Sequence, residues 1–150
     1  MPHIERTADV VWEGNLARGS GRITAGSSGA FEALAYSAAT RMGQPEGQTS
    51  PEELLAAAHG GCLTMSLAGE LTGLGHPPER LDVTCRIVMD EVEGQGHQIT
   101  GSVVTIAASV PGLDESTFHK AVGRADEGCP FSALLRRAGA TVEVSASLAG

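Results

Sequence analysis

Ser50-Pro51-Glu52-Glu53-Leu54-Leu55-Ala56-Ala57-Ala58-His59-Gly60-Gly61-Cys62-Leu63-Thr64-Met65-Ser66-Leu67-Ala68 is the stretch that decides the fold. It opens as a helix opens. Ser50 is a good N-cap, and Pro51 suits the first helical position, where no amide bond is lost. Glu53 completes a capping box with Ser50, and both Glu52 and Glu53 favour the positive end of the helix dipole. Beyond the first turn the residues are apolar or small almost all round, which predicts a buried helix rather than an amphipathic one. Leu54, Ala58, Cys62 and Met65 fall on one stripe. Gly60 and Gly61 each cost a helix about 1 kcal/mol relative to alanine. Their presence predicts a very close neighbour at that point, such as another helix. Glycines at 73 and 75 and the Pro77-Pro78 pair stop the helix.

Working outward, Val10-Val11-Trp12 and Gly21-Arg22-Ile23-Thr24 read as short strands joined through a turn at Glu13-Gly14-Asn15. Ala30 to Tyr36 reads as a third strand or, with its three alanines, as a helix. The glycines and proline of Arg41 to Thr49 predict a loop. On the other side, Leu81, Val83, Cys85, Ile87 and Met89 alternate with Asp82, Thr84 and Arg86, the pattern of a half-buried strand. Gly94-Gln95-Gly96 turns the chain, and Ile99 to Val110 returns as its partner. Asp114 caps a helix carrying Phe118, Ala121, Val122 and Ala125 on one face. Gly128 ends that helix, and Pro130 opens a shorter one. Ala140 to Leu148 is the last strand. The predicted order is β-β-β-α-β-β-α-α-β, an α+β chain of antiparallel meanders in a single domain over 1–150.

Composition narrows the function. With 150 residues the chain can bury a core without disulfides or metals. A net charge of -8 and an aromatic content of 3% argue against a nucleic-acid binder. The first residues carry an acid and no apolar run, so no secretion leader is expected. No apolar span is long enough for a membrane, and a cytoplasmic location is expected. In a reducing compartment three cysteines point to buried, metal-binding or catalytic roles rather than to a disulfide framework.

Each cysteine has two readings. From the helix alone, Cys62 fits an inert core thiol as well as a reactive one. Reactivity requires a thiolate, and so a cation. The dipole gives little help at mid-helix, so an arginine must come from elsewhere; Arg18, Arg22 and Arg41 are the upstream candidates. Cys129 stands at the predicted N-cap of the helix opened by Pro130, where backbone amides stabilise a thiolate. Local physics therefore makes Cys129 the more acidic of the two. Cys85 sits on the apolar face of its strand and reads as packing. His59 lies three residues before Cys62 on nearly the same helical face. It pairs with that cysteine or, the simpler reading, packs as a hydrogen-bonded core histidine. The histidines and cysteines show no zinc-ligand spacing.

Taken together, the helix from Ser50 to Leu67, the pair Val110-Pro111-Gly112-Leu113-Asp114 and Gly128-Cys129-Pro130-Phe131-Ser132, and Trp12-Glu13-Gly14 near the start resemble the OsmC/Ohr family, the osmotically inducible and organic-hydroperoxide-resistance proteins. The likeness spans essentially the whole chain. His59, where the Ohr branch has a tyrosine, places it nearer OsmC. The resemblance implies an OsmC-like fold, with sheets wrapping a long central helix in an intertwined homodimer. It implies a thiol peroxidase that reduces organic hydroperoxides and, less well, hydrogen peroxide. Carried over, Cys62 is the peroxidatic cysteine and Cys129 the resolving one, which reverses the local ranking. Glu52 matches the family's helix-opening acid. Arg41 matches the OsmC-type activating arginine, and Arg18 the Ohr-type one. No bound cofactor or metal is implied. Electrons come from an external dithiol such as a dihydrolipoyl group. The alternative is a non-enzymatic domain of the same fold that binds a small apolar ligand in its cleft; retention of both cysteines favours the enzyme.

Overall fold

The computed structural model describes residues 2–149; Met1 and Gly150, the outer limits of the expected domain, lie outside the described residues. The chain forms two compact units that meet in sequence at Pro51. In the first, β1 (Ala8–Glu13), β2 (Ser20–Ala25) and β3 (Leu34–Tyr36) make an antiparallel sheet in that order. The β1–β2 turn begins at Gly14, whose φ of +92° a residue with a side chain adopts only under strain. Strand character in the stretch 30–36 is confined to its last three residues. A short helix, α1 (Ala38–Met42), follows and takes in Arg41, which the loop expectation did not foresee. Its cap is local: Ser37 Oγ accepts from the Thr40 amide at 3.2 Å.

The second unit is built on α2 (Pro51–Gly73), which starts at the proline and ends at the glycine that the sequence marks. It is followed by β4 (Arg80–Val92), β5 (Gly96–Ser109), α3 (Glu115–Gly128), α4 (Pro130–Arg137) and β6 (Thr141–Leu148). Asp114 caps α3, its carboxylate accepting from the Thr117 amide at 2.9 Å. Strands β4 and β5 pair antiparallel, with Cys85 opposite Val104 and Ile87 opposite Ser102. Strand β6 departs from the expected antiparallel meander: it lies beside β5 and runs parallel to it. The physical reason is the connection. Two helices intervene between β5 and β6, and a crossover of that length returns the chain to the end from which β5 started.

Leu63, Leu67 and Leu71 of α2 pack with Val104, Ile106 and Ala108 of β5 and with Phe118, Ala121 and Ala125 of α3 in one fully buried cluster. Each leucine so buried contributes about 1.5–3 kcal/mol. The buried stripe of α2 is therefore His59, Gly60, Leu63, Leu67 and Leu71, not Leu54, Ala58, Cys62 and Met65. Nor is the helix enclosed on all sides in a single chain: Ala57 and Gly61 are exposed, and Met65 is 78% exposed. The close neighbour expected at the glycines is real at Gly60, but it is a strand. A Cβ there would stand 3.1 Å from Cys85 Cβ of β4, whereas one on Gly61 would meet nothing within 4 Å.

Candidate active site

Cys62 lies half-buried on α2, next to Leu63 of the core, and packs against the cluster that contains Cys129. Cys129 is fully buried at the junction of α3 and α4, where it is the N-cap of α4. All three cysteines are free thiols. The structure places Cys62 against the buried cluster that holds Cys129, and the two thiols lie near enough to act on each other's protonation. Burial, followed by the neighbouring Cys129, pushes the Cys62 thiol up from its ordinary range, while the Phe131 amide and Ser66 oppose the rise.

Cys129 does occupy the N-cap, but its side chain makes no capping hydrogen bond. The Phe131 amide of α4 favours the Cys62 thiolate, against the larger effect of burial.

His59 takes the simpler of its two readings and extends it. It is fully buried, with Nδ1 2.7 Å from Ser102 Oγ on β5 and Nε2 2.8 Å from Ser132 Oγ on α4. Its sulfur neighbour is Cys85 rather than Cys62: Cys85 Sγ stands 3.3 Å from Ser102 Oγ and 3.8 Å from His59 Nδ1. Burial lowers the His59 pKa, partly offset by Asp126 and reinforced by Arg136. In the unfolded chain the imidazole takes up a proton near pH 6.5. The fold resists that proton, so the stability it contributes is full above the unfolded value and is lost as the pH falls towards the lowered one. Thermal melts at pH 7.5 and pH 5.5 should show a lower midpoint at the acid pH. The difference should shrink in His59→Leu, and an unchanged difference would mean that His59 does not carry the dependence.

Arg136 was not singled out by sequence. It is held by Asp126 through two bonds of 3.1 and 2.7 Å and donates to the Val142 carbonyl at 3.2 Å; its charge acts on both Cys129 and His59. The signal for it was spacing alone, an arginine two helical turns beyond Cys129. Ser102 and Ser132 had no signal, because they meet His59 across 43 and 73 residues. Glu52 stands in the first turn of α2, ten residues before Cys62 on one unbroken helix, about 15 Å along its axis at 1.5 Å per residue. Arg41 on α1 and Arg18 in the β1–β2 loop belong to the first unit. Among the described residues no group of three His, Cys, Asp or Glu side chains is placed to hold a metal ion.

The family pattern described as OsmC-like protein matches residues 43–145. The chain belongs to the OsmC-like family. Peroxiredoxin OsmC of Escherichia coli strain K12 is 35% identical over 133 residues, covering 89% of this chain and 91% of the relative. Among solved structures, the organic hydroperoxide resistance protein OhrB of Bacillus subtilis superposes with a TM-score of 0.65 at 24% identity, over 95% of this chain and 98% of the other. An organic hydroperoxide resistance protein OsmC from Legionella pneumophila also gives 0.65, at 22% identity over 96% and 97%. At those identities the two structures establish the OsmC/Ohr fold. The role that goes with membership is that of a peroxiredoxin-like, thiol-dependent oxidoreductase. No helix among the described residues is long and apolar enough to cross a membrane.

Proposed function

We propose that this OsmC-family protein reduces organic hydroperoxides, and hydrogen peroxide more weakly, through Cys62 and Cys129, as part of oxidative or osmotic stress defence in the cytoplasm. The observation that carries the reading is the packing of Cys62 against the buried cluster that holds Cys129, where the two thiols influence each other. In the first step the Cys62 sulfur attacks the terminal peroxide oxygen. An S–O bond forms, the O–O bond breaks, and the leaving alkoxide takes a proton and departs as an alcohol. In the second, Cys129 attacks the Cys62 sulfenic acid. An S–S bond forms, the S–O bond breaks, and the hydroxide leaves as water with the Cys129 proton. An external dithiol, a dihydrolipoyl group or a similar small dithiol, then returns the disulfide to two thiols.

Burial holds the Cys62 thiol in its neutral form, so the first step calls for a cation that stabilises the thiolate and the departing alkoxide. Arg41 is our assignment, with Arg18 the alternative, and Glu52 orients that arginine. The acting unit is a homodimer. Supporting this, the exposed side of α2 at Ala57 and Gly61 lines an open groove with Gly60, Thr64, Val83 and Cys85, and Met65 on the same helix is exposed. The whole of β1 is also exposed, including Val10, Val11 and Trp12. In each unit, exposed apolar side chains of this kind call for a covering partner.

The resolving step gives the test. On mixing reduced protein with tert-butyl hydroperoxide, the wild type should form the Cys62–Cys129 disulfide in a single turnover. Cys129→Ser should consume one equivalent per chain, stop at the sulfenic acid and over-oxidise in excess peroxide, as intact mass will show. Full turnover by Cys129→Ser with dithiol present would overturn its resolving role.

A further inference from the structure

Three polar side chains are fully buried among the described residues, His59, Ser102 and Ser132, and all three belong to one hydrogen-bonded chain. With Cys85 at its outer end, the chain runs from β4 through β5 and α2 to α4. A buried imidazole between two hydroxyls is an expensive way to fill space that a leucine would fill, but once fully satisfied it specifies one arrangement of the elements it joins. No buried side-chain nitrogen or oxygen among the described residues lacks a partner. A neutral imidazole has one N–H and one lone pair, and a serine hydroxyl can donate or accept, so both ring nitrogens are satisfied and the ring is fixed from both sides.

The placement of this chain is what gives it a role. His59 precedes Cys62 by three residues on α2, and Ser132 follows Cys129 by three on α4. The His59–Ser132 bond and the packing of Cys62 against the cluster that holds Cys129 are therefore successive rungs between the same two segments, running in opposite directions one turn apart. We propose that His59 is a positioning residue for disulfide closure: through Ser132 it holds the first turn of α4, and Cys129 with it, against the cysteine turn of α2. This rests on the reading of Cys62 and Cys129 as the redox pair. Its chemical consequence is that the Cys129 sulfur stands ready when the sulfenic acid forms, so that closure outruns attack by a second peroxide. Ser102 acts from the far side by fixing the ring.

The test separates holding from mere stability. Ser132→Ala removes the rung but leaves Nε2 of His59 unpaired and so destabilises the fold. In the double variant His59→Leu/Ser132→Ala both partners become apolar, which restores most of the stability without the rung, while Ser102 keeps Cys85 as a partner. Ser132→Thr retains the hydroxyl. Each protein is reduced, mixed with one equivalent of tert-butyl hydroperoxide and followed through sulfenic acid formation and then disulfide closure. Each is also equilibrated with mixtures of oxidised and reduced dithiothreitol. Ser132→Ala and the double variant should close about tenfold more slowly, the order of effect of one ordering hydrogen bond. Their Cys62–Cys129 disulfide should be weaker against dithiothreitol by a similar factor, with the first step unchanged. Ser132→Thr should behave as wild type. Closure and disulfide equilibrium at wild-type values in the double variant would overturn the proposal. A wild type that showed no peroxide-driven step would instead refute the peroxidase reading, and the dithiothreitol equilibrium would still report on the rung.

Discussion

Cys62→Ser should abolish hydroperoxide turnover, while Cys85→Ser keeps it within about twofold, a surface-like effect for a position outside the reacting pair. A serine hydroxyl cannot replace a thiol here. Its proton is held far more tightly. The two cysteines differ in what surrounds them. Cys62 packs against the cluster that holds Cys129, and the two thiols act on each other. Cys85 faces Ser102 and, at 3.8 Å, His59 Nδ1, partners that a serine can also satisfy. Burial and Cys129 raise the Cys62 pKa, so turnover by the wild type should also climb with pH as the thiolate fraction grows. Steady-state assays of both variants with tert-butyl hydroperoxide and dithiothreitol decide the assignment. Equal and large losses from both would remove Cys62 from its special role.

A mixture of Cys62→Ser and Glu52→Ala chains, unfolded together and refolded, should regain activity above the sum of the two parents. The reason is distance along a helix. Glu52 and Cys62 lie on one continuous α2, about 15 Å apart along its axis. A glutamate and an arginine would have to be fully extended to span that within one chain, a poor basis for a preorganised site. Two α2 helices packed antiparallel place the start of one beside the middle of the other. Gly61 leaves room for such an approach, since a Cβ there would meet nothing within 4 Å, and the neighbouring Ala57 and Met65 are exposed. A mixed dimer then contains one site with both Glu52 and Cys62 intact. If each site lies within one chain, no mixed dimer contains a complete one. Absence of any gain, with mixed dimers demonstrated by mass, would remove the shared-site arrangement.

Local signals placed most elements because they need only neighbouring residues to act. Pro51 with Glu52 and Glu53 started α2, glycine ended it, Asp114 capped α3, Pro130 opened α4, and alternation from Leu81 to Ile87 chose the inward face of β4. The contexts of Cys62 and Cys129 were likewise readable as a family likeness. Periodicity failed on α2 because a helix that is apolar or small on every side has no amphipathic direction; contacts with β5 and α3 alone selected Leu63, Leu67 and Leu71. Strand direction failed at β6 for a related reason, since alternation states which face is buried but not which way a neighbour runs. The site shows the same division. Sequence by itself determined that two thiols sit at particular places on two helices. Only the tertiary structure decided that Cys62 packs against the cluster that holds Cys129 and that His59 joins Ser102 to Ser132. Those bonds cross between elements far apart along the chain, and the packing of those elements, which no local pattern encodes, sets their geometry.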